Sequence, residues 1–252
     1  MPPSETPRGM GRENLPEMSL VAHLEELRRR LFVSVIAVVL GAILCWFVHQ
    51  QLFAILTLPV TRLLPEDANQ LAFLSLTEPF ILYLKVSLVA GLFLASPVVI
   101  TQAWLFVAPG LYKHERRSAL PVILFSVIFF LTGAAFGYFI LFPIMANFFL
   151  TLGAEFRQVL TVNNMFSFLL RTLLGCALVF EWPIVVFFLA RLGIVTAGAM
   201  WHGFRYAILG IFAIAAVVTP TPDMATQTIL AIPMLILYLL GIGIAWAVQP
   251  RT

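Results

Sequence analysis

Four stretches of this chain carry no Asp, Glu, Lys or Arg: residues 31–61, 86–112, 118–154 and 224–250. Each is longer than the ~20 apolar residues that cross the hydrocarbon of a bilayer as a helix. A soluble fold cannot absorb such runs. Charged residues make up only 11% of the chain, against roughly 25% in globular proteins, while 61% is hydrophobic. Two further spans are less clean: 163–190 is apolar apart from Arg171 and Glu181, and 206–222 is apolar but short. The runs are continuous and do not alternate, which excludes a β-barrel. The fold class predicted is an all-α integral membrane protein with six transmembrane helices in one domain, residues 19–248. A disordered cytoplasmic tail (1–18) precedes it and a short cytoplasmic tail (249–252) follows. The first segment has no apolar core and does not read as a cleavable signal peptide.

Ser19 is placed to cap the first helix, and Leu20, Leu24, Leu27 and Leu31 share one stripe after it. His23, Glu26 and Arg30 line an adjacent edge, while Glu25 and Arg29 point elsewhere. This helix is expected to run to about Gln50, followed by an outer loop (51–77) containing Pro59. The second helix is expected over 78–107, with a kink at Pro97, and the third over 117–142. A second outer loop, a fourth helix (163–190), a basic inner turn (191–205), a fifth helix (203–218) and a sixth (223–247) complete the chain. The fifth has about 16 residues, or ~24 Å against a ~30 Å core, and the sixth opens with Asp223, Thr226 and Gln227. Both are expected to be shallow on the outer side.

Charge asymmetry orients the molecule. With the N-terminus inside, only Arg62, Lys85, Arg157 and Arg171 of the 15 basic residues fall on the outer half, so both termini are expected in the cytoplasm. The net charge of +3 is membrane topology and does not point to nucleic acid. Cys45 and Cys176 lie in predicted spans, so no disulfide framework is implied.

Two runs at the inner rim place carboxylates among bases: His23-Leu24-Glu25-Glu26-Leu27-Arg28-Arg29-Arg30 and Leu111-Tyr112-Lys113-His114-Glu115-Arg116-Arg117. The basic residues serve most simply as topology anchors. Glu26 either pairs with Arg30 at i, i+4, worth ~0.3–0.5 kcal/mol, or is held for a cationic ligand, and Glu115 poses the same choice. Glu181, in Phe180-Glu181-Trp182-Pro183, is the deepest charge, beside a carbonyl of Val179 that Pro183 leaves unbonded. It is either a structural acid, protonated or paired with Gln227 or Lys85, or a polar contact for a substrate or partner. No metal-ligand spacing, phosphate loop or nucleophile–base pair is present, so neither cofactor, metal nor enzymatic activity is expected.

Four ordered runs resemble one family: H-L-E-E-L-R-R-R (23–30), S-P-V-V-I-T-Q-A-W-L-F-V-A-P-G-L-Y-K-H-E-R-R (96–117), F-E-W-P (180–183) and T-P-T-P-D-M-A-T-Q-T-I-L-A-I-P-M (219–234). The family is TatC, the receptor component of the twin-arginine protein translocase. The resemblance implies a cup-shaped, six-helix receptor in the bacterial inner membrane that exports folded proteins. It would recognise signal peptides of the S-R-R-x-F-L-K type and work with TatA/TatB-type single-span subunits, as a homo-oligomer, on the proton-motive force. By position, Glu26 and Glu115 match the acids associated with the arginine pair. Arg28, Lys113 and Phe106 match cytoplasmic-face residues, Glu181 the intramembrane acid, and Gln227 and Pro59 other sensitive positions. The extra acid Glu25 departs from some members. The competing reading is a proton-coupled small-solute carrier with Glu181 binding the proton; it lacks the broken helices in matching halves that such a carrier needs.

Overall fold

A computed structural model describes residues 20–61, 72–107, 116–153, 155, 161–219 and 223–248. Ser19, the tail before it, the inner loop with Lys113 and Glu115, residues 62–71 and the Thr-Pro hinge 220–222 lie outside the described residues. The elements are α1 (Leu20–Trp46), α2 (His49–Thr61), α3 (Glu78–Val107), α4 (Arg116–Phe136), a π-helical turn (Gly137–Leu141), α5 (Phe142–Leu152), α6 (Val162–Phe180), α7 (Trp182–Arg191), α8 (Ala197–His202), α9 (Phe204–Val218) and α10 (Met224–Val248). Among the described residues, five continuous helical segments are long and apolar enough to cross a membrane: 23–46, 78–106, 120–152, 162–191 and 224–248. The fifteen-residue α9 is apolar but shorter.

The surface explains the composition. Leu31, Phe32, Val35, Ile36, Leu40 and Leu44 are all at least half exposed along α1, which only a lipid environment tolerates. Lipid offers no hydrophobic drive for helix association, so contact depends on close backbone approach. On α1 the buried positions are small: Gly41 and Cys45 face α3. A Cβ added to Gly91 of α3 would stand 2.3 Å from the Ala42 backbone nitrogen, so the two helices cross in near backbone contact.

Four expectations are corrected. The first helix stops at Trp46, where a tight turn (Phe47 N–H to Leu44, Val48 N–H to Cys45) and the His49 ring on the Trp46 carbonyl break it. Pro59 lies inside α2 and not in a loop. The third span continues past 142 to Leu152, because the π turn absorbs Pro143: Phe142 N–H bonds Gly137 O, five residues back. The fourth span is interrupted at Glu181, which ends α6 and begins α7. The inner turn also holds the short helix α8, capped by the Thr196 hydroxyl on Ala199 N–H.

The core has two main parts. One joins α6, α7, α9 and α10 through Cys176, Val186, Ala215, Leu230 and Tyr238. The other lies at the end remote from His23, where α2 and α3 meet α5 and α6 around Val86, Phe142, Phe166 and Leu169. A bridge from Ala72 O to Val162 N–H, 2.9 Å, ties the segment before α3 to the start of α6 at that same end.

Candidate functional site

The rim site is built on the α1 edge that the three-and-four spacing selects. His23 stacks on Phe106 of α3, ring centroids 4.5 Å apart and 22° between planes. One turn on, Glu26 Oε1 accepts from Arg30 Nη2 (2.5 Å) and Nε (3.0 Å), while Arg30 Nη1 donates to Gln102 Oε1 of α3 at 3.3 Å. The acid and its arginine are mostly covered, at 16% and 15% exposure. Both Arg30 contacts fall on the same carboxylate oxygen, Glu26 Oε1. Glu25, Arg28 and Arg29 are exposed and border an open hollow with Phe32, over which the Arg28 guanidinium sits 5.6 Å from the ring centre. Glu26 also borders this hollow but reaches the α1–α3 seam through Arg30 and Gln102, whereas Glu25 is exposed. Phe106 joins Glu26 in this seam. Lys113 and Glu115 lie outside the described residues.

Glu181 sits where the fourth span breaks. Its Oε2 accepts from the Ser126 hydroxyl of α4 at 2.5 Å, and Ser126 Oγ in turn accepts from Trp104 Nε1–H of α3 at 2.9 Å. Trp104 stacks on Phe188 of α7, 4.2 Å between centroids. The other oxygen, Oε1, is buried with no hydrogen-bond partner among the described residues. Such an atom is costly in an apolar setting unless a ligand or water reaches it. Glu181 borders a cavity of about 1000 Å³ between α3, α4, α6 and α7. It also borders a second cavity, of about 400 Å³, toward α9 and α10.

The pairing of Glu181 with Lys85 or Gln227 does not form. Lys85 Nζ donates instead to Asn163 Oδ1, 2.9 Å, across α3 and α6. Gln227 stands in the first turn of α10, behind the Asp223 carboxylate that caps the helix on Thr226 N–H. It lines neither cavity that Glu181 borders. Gln102 and Trp104 lie in the 96–117 run without being singled out there, and Ser126 carries no mark in the sequence, since nothing distinguishes a serine in an apolar run until its neighbour is known. Among the described residues no group of His, Cys, Asp or Glu is arranged to hold a metal ion.

Comparison with known proteins places this arrangement. Residues 22–233 match the family model described as Sec-independent protein translocase protein (TatC). A protein of that description from Koribacter versatilis is 43% identical over 244 residues, covering 96% of this chain and 90% of the relative. One from Desulforapulum autotrophicum is 42% identical over 221 residues, covering 87% and 81%. A crystal structure of a twin-arginine translocase receptor, TatC, aligns with a TM-score of 0.78 at 35% identity, over 88% of this chain and 97% of that one.

Proposed function

Because the chain belongs to the TatC family of Sec-independent protein translocase proteins, we propose that it is the signal-peptide receptor of a twin-arginine translocase. It is an integral membrane protein; in this reading residues 19–248 form one domain that crosses the bacterial inner membrane six times as a cup. Both termini (1–18 and 249–252) and the loop around Lys113 lie in the cytoplasm, as the Lys/Arg bias favours. The α9 helix, at ~22 Å, makes the sixth crossing by thinning the bilayer or by leaning on a partner.

The observation that carries the reading is the Glu26–Arg30 pair. Glu26 already holds one guanidinium at a covered position, with Oε2 left for a second. An arriving arginine of the signal peptide takes that place, Glu115 holds its neighbour, and Arg28, Lys113 and Phe106 shape the surround. Two such charged hydrogen bonds give roughly 3–6 kcal/mol, a dissociation constant of only ~10⁻²–10⁻⁴ M. The apolar part of the peptide must therefore also enter the bundle. Glu181, with its unpartnered oxygen, and Gln227 then serve a partner helix of the TatA/TatB type, and export draws on the proton-motive force within a homo-oligomeric complex.

Photo-crosslinking tests this. A photoreactive residue at Phe106 in detergent-solubilised protein should capture a twin-arginine precursor and lose most of that capture when the pair is Lys-Lys. Uptake of labelled small solutes into vesicles, with no precursor capture, would favour the carrier reading instead.

A further inference from the structure

Proline at position 59 has no N–H, so the Ile55 carbonyl one turn earlier loses its helical hydrogen bond. In a membrane setting an unsatisfied carbonyl is expensive, and neighbouring side chains commonly answer it. Here the hydroxyl of Tyr138, from a different span, donates to Ile55 O. Tyr138 stands in the π-helical turn Gly137–Leu141, the place where the third span departs from regular geometry. That turn is pressed onto α6: a Cβ on Gly137 would meet Leu173 Cα and Cys176 Cβ at 3.3 and 3.2 Å. Two irregular elements, a proline-bearing helix and a π turn, thus meet at one hydrogen bond. Below it, Val60, Phe142 and Leu169 pack together with the Tyr138 ring against them.

We infer that Tyr138 is a positioning residue that completes Pro59: its hydroxyl supplies the hydrogen bond that Pro59 removes, and so pins α2 to the third span. The π turn is the means by which the third span presents a tyrosine at that spot. Pro59 makes α2 dependent on its neighbour, so that α2 keeps one position only while the third span keeps its π geometry. The inference goes beyond the receptor reading, and only its export readout rests on that reading.

The test is a double substitution in the full-length protein. Tyr138→Phe deletes only the hydroxyl and should lower the thermal unfolding midpoint in detergent by about 2–8 °C. Pro59→Ala restores an N–H at position 59, so Tyr138→Phe should cost clearly less in that background than in the wild type. Export of a twin-arginine reporter should fall in Tyr138→Phe, and in the double variant it should be no lower than in Pro59→Ala alone. An unchanged midpoint in Tyr138→Phe, or an equal loss in the wild-type and Pro59→Ala backgrounds, overturns the inference. If Tyr138→Phe does not accumulate in membranes, accumulation of the double variant supports the pairing and its failure refutes it. Midpoints that follow the pairing while export stays flat would leave the clasp standing and show that export does not depend on it.

Discussion

Glu26 and Glu181 are both acids in a chain with few of them, and their surroundings give them opposite tasks. Glu26 lies at the end of a span, covered by Arg30, and its charge is met by a guanidinium on one oxygen. Glu181 lies within a span, is met by neutral donors only, and keeps one buried oxygen without a partner among the described residues. The Ser126 hydroxyl is the hinge of that second site, giving its proton to Glu181 and taking one from Trp104. Ser126 is fully buried, so Ser126→Ala leaves an acceptor and a donor unmet and should cost about 1–3 kcal/mol, read as a lowered unfolding midpoint. Glu181→Ala should abolish export or move partner crosslinks while precursor binding at the rim persists. A Glu181→Ala protein that fails to insert would identify the acid as structural.

Between α1 and α3 the packing is set by glycines, and the rim site depends on it. Gly41 and Gly91 bring the backbones so close that any side chain at 91 meets Ala42 main chain, which cannot move aside. Gly91→Leu should splay the helices, separate His23 from Phe106 and Gln102 from Arg30, and weaken precursor binding at least tenfold with both acids still in place. Affinity equal to wild type would show that the seam does not shape the site. Much at this scale is legible in the sequence: charge-free runs locate the spans, and the 23, 26, 30 spacing selects the edge that meets α3. Other features stay hidden because their cause lies elsewhere in the fold. Pro59 reads as a loop residue until Tyr138 is seen answering Ile55, and the third helix reads as ending near residue 142 until the π turn is seen to carry it on to Leu152. Likewise, Lys85 looks available to Glu181 until Asn163 is seen to take its ammonium group.

Over the described residues the molecule is a helical bundle whose apolar exterior requires lipid. The family and the all-helical architecture follow from the long ordered motifs, and the proposed orientation follows from charge. Cysteines at Glu66, Gln158 and Thr221 should react with an impermeant thiol reagent in intact cells, and one at Lys113 should not. The reverse labelling would invert the topology and place the rim acids on the wrong side for a cytoplasmic precursor. The central claim is that Glu26 and Glu115 together hold an arginine pair, and peptide affinity tests it most directly. Binding of Arg-Arg and Lys-Lys precursors would be measured for wild type, Glu26→Gln, Glu115→Gln and the double variant. Each single substitution should weaken Arg-Arg binding by ~1–3 kcal/mol and weaken Lys-Lys binding less, since an ammonium lacks the bidentate geometry. Equal affinity across all four proteins would contradict the account and leave these acids as membrane-surface charges.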